Sequence, residues 1–238
     1  MPKRNRLKRR KKNNTGAYVV IGIVLVIIVV AIAAFTLHGN AGNSGSTSSS
    51  TNPQLTYLTV IPQNPVLGSK NASVTIFEFG DFQCTYCDQW YKTTEPQIVQ
   101  NLINTGTAKL VWRDFDYYGT DSTYASKAAY AAGEQGKFWQ FYDLLYSNQG
   151  TPNSGWASPS NLEKFAQSLN LNMVEFNQSF NSTNYSSLIQ SNYSAGQSLG
   201  VSGTPTFFVV GPTGKFVQIT GAQPYSAFSS AVSSVSSG

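Results

Sequence analysis

Apolar positions along this chain fall into two regimes, separated by a stretch that has none. Residues 17–37 read AYVVIGIVLVIIVVAIAAFTL, 21 positions without a charge. Coiled as a helix they span about 30 Å, the thickness of a bilayer's hydrocarbon core. They carry no polar stripe of the kind that marks a helix on a soluble core. The pattern predicts an uncleaved membrane anchor over 17–37. A cleaved signal peptide is the rival reading: Ala31, Ala33 and Ala34 offer small residues for cleavage, but its apolar stretch is usually only about 7–15 residues. Gly39 to Pro53 then contains only Gly, Asn, Ala, Ser, Thr and Pro. It predicts a flexible tether over 38–56, with a reach of roughly 20 Å.

From Tyr57 to the C-terminus the pattern becomes that of one globular domain, 57–238. Val74 to Phe79 is apolar and partly β-branched, as in a strand buried on both faces. Cys87 to about Asn104 has apolar residues at helical spacing (Trp90, Ile98, Leu102), with Pro96 predicted to kink the helix. Ala108 to Phe115 is a second strand. Residues 122 to about 197 are mostly helical, Ala-rich and aromatic on a face. Phe207 to Val210 and Lys215 to Thr220 form strands around the turn GPTG, and Tyr225 to Val235 is a last amphipathic helix. Strand and helix alternate, with a helical block in the middle. The fold class is α/β, with a helical insertion at about 119–198.

Charge changes the picture at one end only. Eight of the sixteen Lys and Arg residues lie within the first twelve positions, and no acid lies among them. The rest of the chain holds eight bases against eleven acids, so a nucleic-acid partner finds no basic face on the folded part. The basic tail, 1–16, stays in the cytoplasm by the positive-inside rule, and the domain beyond the anchor is exported. In the part beyond the anchor, acceptor sequons begin at Asn71, Asn177, Asn181, Asn184 and Asn192, a number that a Ser- and Asn-rich chain reaches readily by chance.

The chemistry concentrates in FGDFQCTYC, which holds both cysteines, Cys84 and Cys87. Zinc needs three or four ligands, and the single histidine, His38, stands at the predicted membrane exit; no metal is expected. A structural clamp remains open in an exported chain, though closing so short a loop contributes only about 2 kcal/mol. A redox pair accounts for more residues. Cys84 follows a strand and a turn where a helix begins, and free N–H groups with the helix dipole stabilise a thiolate there. Cys87, one turn on, is the shielded partner. Glu78 points with Val74 and Ile76 toward the core, where a buried carboxyl has a raised pKa and can pass a proton to Cys87. A strand-edge acid reaching water is its other reading. Asp81 is expected to organise the turn, and Trp90, Phe138, Trp139 and Phe141 to fill the core.

ASVTIFEFGDFQCTYC (72–87), AAGEQGKFWQFYDLLY (131–146) and GVSGTPTFFVVG (200–211), in this order and spacing, resemble the DsbA-like thiol–disulfide oxidoreductases. The resemblance implies a thioredoxin fold interrupted by a helical domain, with Cys84 as nucleophile and Cys87 as resolving cysteine. Glu78 matches the buried acid of that family. Thr204 and Pro205 match its substrate-binding loop, whose proline is cis and faces the disulfide. Thr85 and Tyr86 stand at the redox-tuning positions between the cysteines. They offer only hydroxyls where relatives often have proline first and sometimes histidine second. The implied function is the introduction of disulfides into exported protein thiols, with no cofactor beyond the Cys84–Cys87 disulfide. A membrane quinone reductase of the DsbB or vitamin K epoxide reductase type would reoxidise the pair. A tethered reductase or electron carrier, and a peptide-binding module with an inert disulfide, are the alternatives. No dimerisation segment is evident, and a monomer is expected.

Overall fold

The computed structural model describes residues 52–236. The predicted tail, the anchor and most of the tether lie outside the described residues. Among the described residues no helix is long and apolar enough to cross a membrane. Five strands form one mixed sheet in the order β1-β3-β2-β4-β5: β1 (Val66–Leu67), β2 (Val74–Gly80), β3 (Ala108–Asp114), β4 (Thr206–Val210) and β5 (Phe216–Thr220). Only β2 and β3 are parallel; every other pairing is antiparallel. The helices are α1 (Thr85–Thr93), α2 (Glu95–Ile98), α3 (Thr120–Glu134), α4 (Phe138–Ser147), α5 (Pro159–Ser168), α6 (Met173–Phe180), α7 (Asn184–Ser198) and α8 (Tyr225–Ser236). Helices α3 to α7 are the insertion, between β3 and β4.

β2 is central and buried along its whole length, which explains its apolar run. Val74 and Ile76 face a core shared with Trp90, Ile98 and Phe228. Phe77 and Phe79 face the opposite core with Val111, Leu199 and Phe208. The third core lies in the insertion, where Phe138, Phe141, Tyr142 and Tyr146 meet Phe82, Cys84 and Cys87. Trp90, Phe138 and Phe141 are buried, and Trp139 packs partly buried against two of these cores.

Three local features differ from the expectations above. The helix predicted from Cys87 begins at Thr85 and does not run through with a kink. It stops at Thr93, resumes at Glu95 and ends in a π turn, Val99–Ile103. Pro96 has no N–H to donate to the preceding turn, and the chain breaks just ahead of it. Second, Pro53–Tyr57, within the segment read largely as tether, is a 3-10 helix started by the Asn52 side chain, which accepts from Gln54 N at 3.1 Å. Leu58 behind it is buried against the Phe77 and Phe79 core, and this burial ties the segment to the domain. Third, β1 is only two residues long, too short for a periodic signal.

Candidate active site

Cys84 is the residue on which β2, the turn and α1 converge. It is the N-cap of α1, with extended backbone, so the first free N–H groups of the helix point at its side chain. Asp81 builds the turn. Its Oδ1 accepts from Gln83 N at 2.8 Å and its Oδ2 from Tyr117 N and Tyr118 N at 2.9 and 3.3 Å, while Cys84 N donates to Asp81 O. The insertion holds the turn from the other side. Gln149 Nε2 donates to the carbonyls of Phe82 and Cys84 at 2.8 and 3.1 Å. Gln83 is bonded to Ser122 and to Asn153.

Both cysteines are free thiols, and both are buried. The thiol of Cys84 is directed at the carbonyl of Thr204, 3.2 Å away, so the turn preceding β4 covers it. The Thr204–Pro205 peptide is cis, and both residues are buried. Thr85 and Tyr86 are exposed, Tyr86 by 62%.

The two thiols are driven apart electrostatically. The hydrogen bond from the Cys87 thiol lowers the Cys84 pKa most. Burial opposes it, while the Thr204 side chain and the backbone N–H groups of Cys87 and Tyr86 assist, and the value comes to about 6. Cys87 is pushed well up, first by burial and then by its bond to Cys84 and the nearby charges of Cys84 and Glu78. Cys84 is therefore the thiol that ionises first, and Cys87 is the one that holds its proton.

Glu78 is fully buried on the central strand, between Trp112 and Phe207 in register; the strand-edge reading is excluded. Its pKa is raised by burial and by Glu95, against a hydrogen bond from Tyr142. Glu78 Oε2 lies 3.3 Å from the Tyr142 hydroxyl, and Oε1 has no hydrogen-bond partner. Oε1 stands 3.3 Å from where a Cβ on Gly80 would be, so this oxygen points along β2 toward the cysteine turn. A side chain at Gly80 would also meet the Trp112 ring at 2.5 Å, which is why glycine ends the strand.

Sequence reasoning missed Glu95, Tyr142, Gln83 and Gln149. Glu95 is 6% exposed and accepts from the Tyr142 hydroxyl at 2.9 Å. Burial carries its pKa to about 8. Its one local signal is an acid directly before Pro96, at a helix restart. Among the described residues no group of three or more His, Cys, Asp or Glu is arranged to hold a metal ion.

A family model described as thioredoxin matches residues 61–233. Among curated proteins, the chain is 33% identical over 158 residues to Na(+)/H(+) antiporter NhaA 3 of Salinispora tropica, covering 64% of this chain and 23% of the antiporter. The chain thus spans less than a quarter of that relative's length. It is 30% identical over 149 residues to a probable disulfide bond formation protein D of Bacillus cereus, covering 61% of this chain and 69% of that protein. Among solved structures, oxidised BdbD from Bacillus subtilis superposes with a TM-score of 0.66 at 24% identity, covering 75% of this chain and 96% of the other.

Proposed function

Given that the chain belongs to the thioredoxin family, we propose that it works as a DsbA-like thiol–disulfide oxidoreductase that donates its Cys84–Cys87 disulfide to exported proteins. The observation that carries this reading is the placement of the pair: Cys84 caps α1 against the Thr204 carbonyl beside a cis proline, and Cys87 lies buried behind it, a setting that lowers the Cys84 pKa and raises that of Cys87. A stabilised thiolate at Cys84 favours the reduced form of the pair, and that makes the oxidised form a strong oxidant. A substrate thiolate attacks Cys84, the Cys84–Cys87 bond breaks, and Cys87 leaves as a thiolate that is protonated in its dry surroundings. A second substrate thiolate then attacks the substrate sulfur of the mixed disulfide, releasing oxidised substrate and leaving both cysteines reduced. Thr204 and Pro205 border Cys84 and would align an extended substrate segment. Thr85 and Tyr86, exposed beside the pair, would tune its potential.

The same reading includes the parts outside the described residues: a cytoplasmic basic tail at 1–16, a single-pass anchor at 17–37, and a catalytic domain on the outer side of the membrane. Reoxidation would fall to a membrane quinone reductase of the DsbB or vitamin K epoxide reductase type. The working form would be a monomer. The Bacillus cereus relative's name supports the chemistry. The test is trapping: Cys87→Ser should accumulate mixed disulfides with thiol substrates at Cys84, and Cys84→Ser should form none. A Cys87→Ser protein that captures no substrate would overturn the proposal.

A further inference from the structure

Cys87 and Glu78 have no solvent contact, yet each turnover must place a proton on Cys87 and remove it again. Glu78, whose charge bears on Cys87, begins a line of hydrogen-bonding groups that runs toward water. Glu78 Oε2 is 3.3 Å from the Tyr142 hydroxyl, and that hydroxyl is 2.9 Å from Glu95 Oε2. A phenolic hydroxyl carries one proton. It donates to one carboxyl and can only accept from the other, so both contacts are hydrogen bonds only when one of the two glutamates is protonated. Glu95 forms part of the wall of an open groove of about 590 Å³, together with Tyr91, Lys92, Gln100, Asn104 and Asp143.

We propose that Glu78, Tyr142 and Glu95 are a proton relay between Cys87 and the solvent of this groove, with Glu95 as its outer terminal. The proposal rests on the exchange chemistry above and supplies its missing proton path. When the Cys84–Cys87 bond is broken, its electron pair leaves on Cys87 Sγ, which takes the proton of Glu78. Glu95 takes a proton from water and passes it to the Tyr142 oxygen, as Tyr142 gives its own proton to Glu78 Oε2. The net change is one proton moved from water to Cys87, and no tyrosinate remains. Reoxidation runs the line in reverse. The groups around Glu95 that bear on its proton are Tyr142 and Asp143 on α4, Tyr91 and Lys92 on α1, and Glu78 on β2. Asp143 raises the Glu95 pKa, in addition to burial, which helps it keep a proton near neutrality.

The experiment uses the full-length reduced protein with glutathione disulfide. It follows two steps separately from about pH 5 to about pH 9: attack by Cys84, then resolution of the mixed disulfide by Cys87. Resolution needs Cys87 to lose its proton, so in the wild type its rate should rise through the titration of Glu95 at about 8. Glu95→Gln and Tyr142→Phe should each slow resolution by roughly tenfold and remove that inflection, with the attack rate unchanged. Tyr142→Phe keeps the ring that packs on Phe82, Trp112 and Tyr146, so its fold is preserved. Glu95→Asp should recover part of the rate, which a purely structural loss would not. Unchanged resolution and an unchanged inflection in both variants, with Glu78→Gln slow, would overturn the relay and leave Glu78 exchanging with water directly. A wild-type protein that forms no mixed disulfide would instead overturn the exchange reading beneath it.

Discussion

Asp114 Oδ1 accepts from Trp112 Nε1 at 2.9 Å, and its Oδ2 accepts from the Tyr130 hydroxyl and Asn192 Nδ2 at 2.5 and 2.7 Å. Glu78, on the neighbouring strand and equally buried, shares one hydroxyl at 3.3 Å and leaves Oε1 without a partner. Both are acids in the dry interior beside the parallel pair β2 and β3. The donors on Asp114 come from β3, α3 and α7, so it fastens the insertion to the sheet. Glu78 lacks the donors that would hold a negative charge, and burial raises its pKa. A satisfied buried carboxyl serves the fold, and a starved one stores a proton. Asn192, a sequon start, has its side chain committed to Asp114 and is 1% exposed, so it takes no glycan in the folded domain.

Asp114→Ala breaks the comparison on its structural side. It orphans the Trp112, Tyr130 and Asn192 donors together and should cost about 3–5 kcal/mol of stability. Urea unfolding checks the loss, and exchange per folded molecule should remain at the wild-type rate. Glu78→Gln is the counterpart. It should slow the proton-coupled step at Cys87 by about a hundredfold, with stability unchanged at acidic pH. The raised folded pKa of Glu78 means that its stabilising contribution is full below the ordinary value of 4.5 and lost as pH rises through the folded pKa. The variant should therefore gain on the wild type in alkaline urea titrations.

A smaller effect separates the two ends of the site by sign. The Cys84 pKa falls in the folded dithiol from 9.0 to about 6. Its contribution to stability is present above about 9 and lost as pH falls through about 6. The Glu95 pKa rises from 4.5 to about 8, so its contribution is present below 4.5 and lost as pH rises through about 8. Urea midpoints against pH should lose their acid-side decline in Cys84→Ser and part of their alkaline-side decline in Glu95→Gln. Thiolate absorbance should give Cys84 a midpoint near 6.

How much of this was legible in the sequence depends on how local each feature is. The apolar run from Val74 marks a strand because both of its faces are covered, and alternation along it sends Glu78 inward. Cys84 after a turn and before a helical pattern locates the N-cap. The insertion is visible as a long helical stretch between two strand patterns. Glu95 is not legible as part of the site, because its role depends on Tyr142, 47 residues away in the chain. Tyr142 itself sits in an aromatic helix where a core assignment is correct for the ring and silent about the hydroxyl. Gln149 reaches the cysteine turn across 65 residues, and nothing in its own neighbourhood marks it. The motif places the sulfurs and supplies most of what lowers Cys84; the groups beyond Glu78 (Tyr142 and Glu95) come together only in tertiary packing.

The measurement that tests the central claim most directly is the reduction potential of the Cys84–Cys87 pair, equilibrated in graded thiol buffers. A lowered Cys84 pKa in a protein that donates disulfides predicts a value at the oxidising end, about −120 to −180 mV. A value near about −270 mV, the range of a reductase, would contradict it.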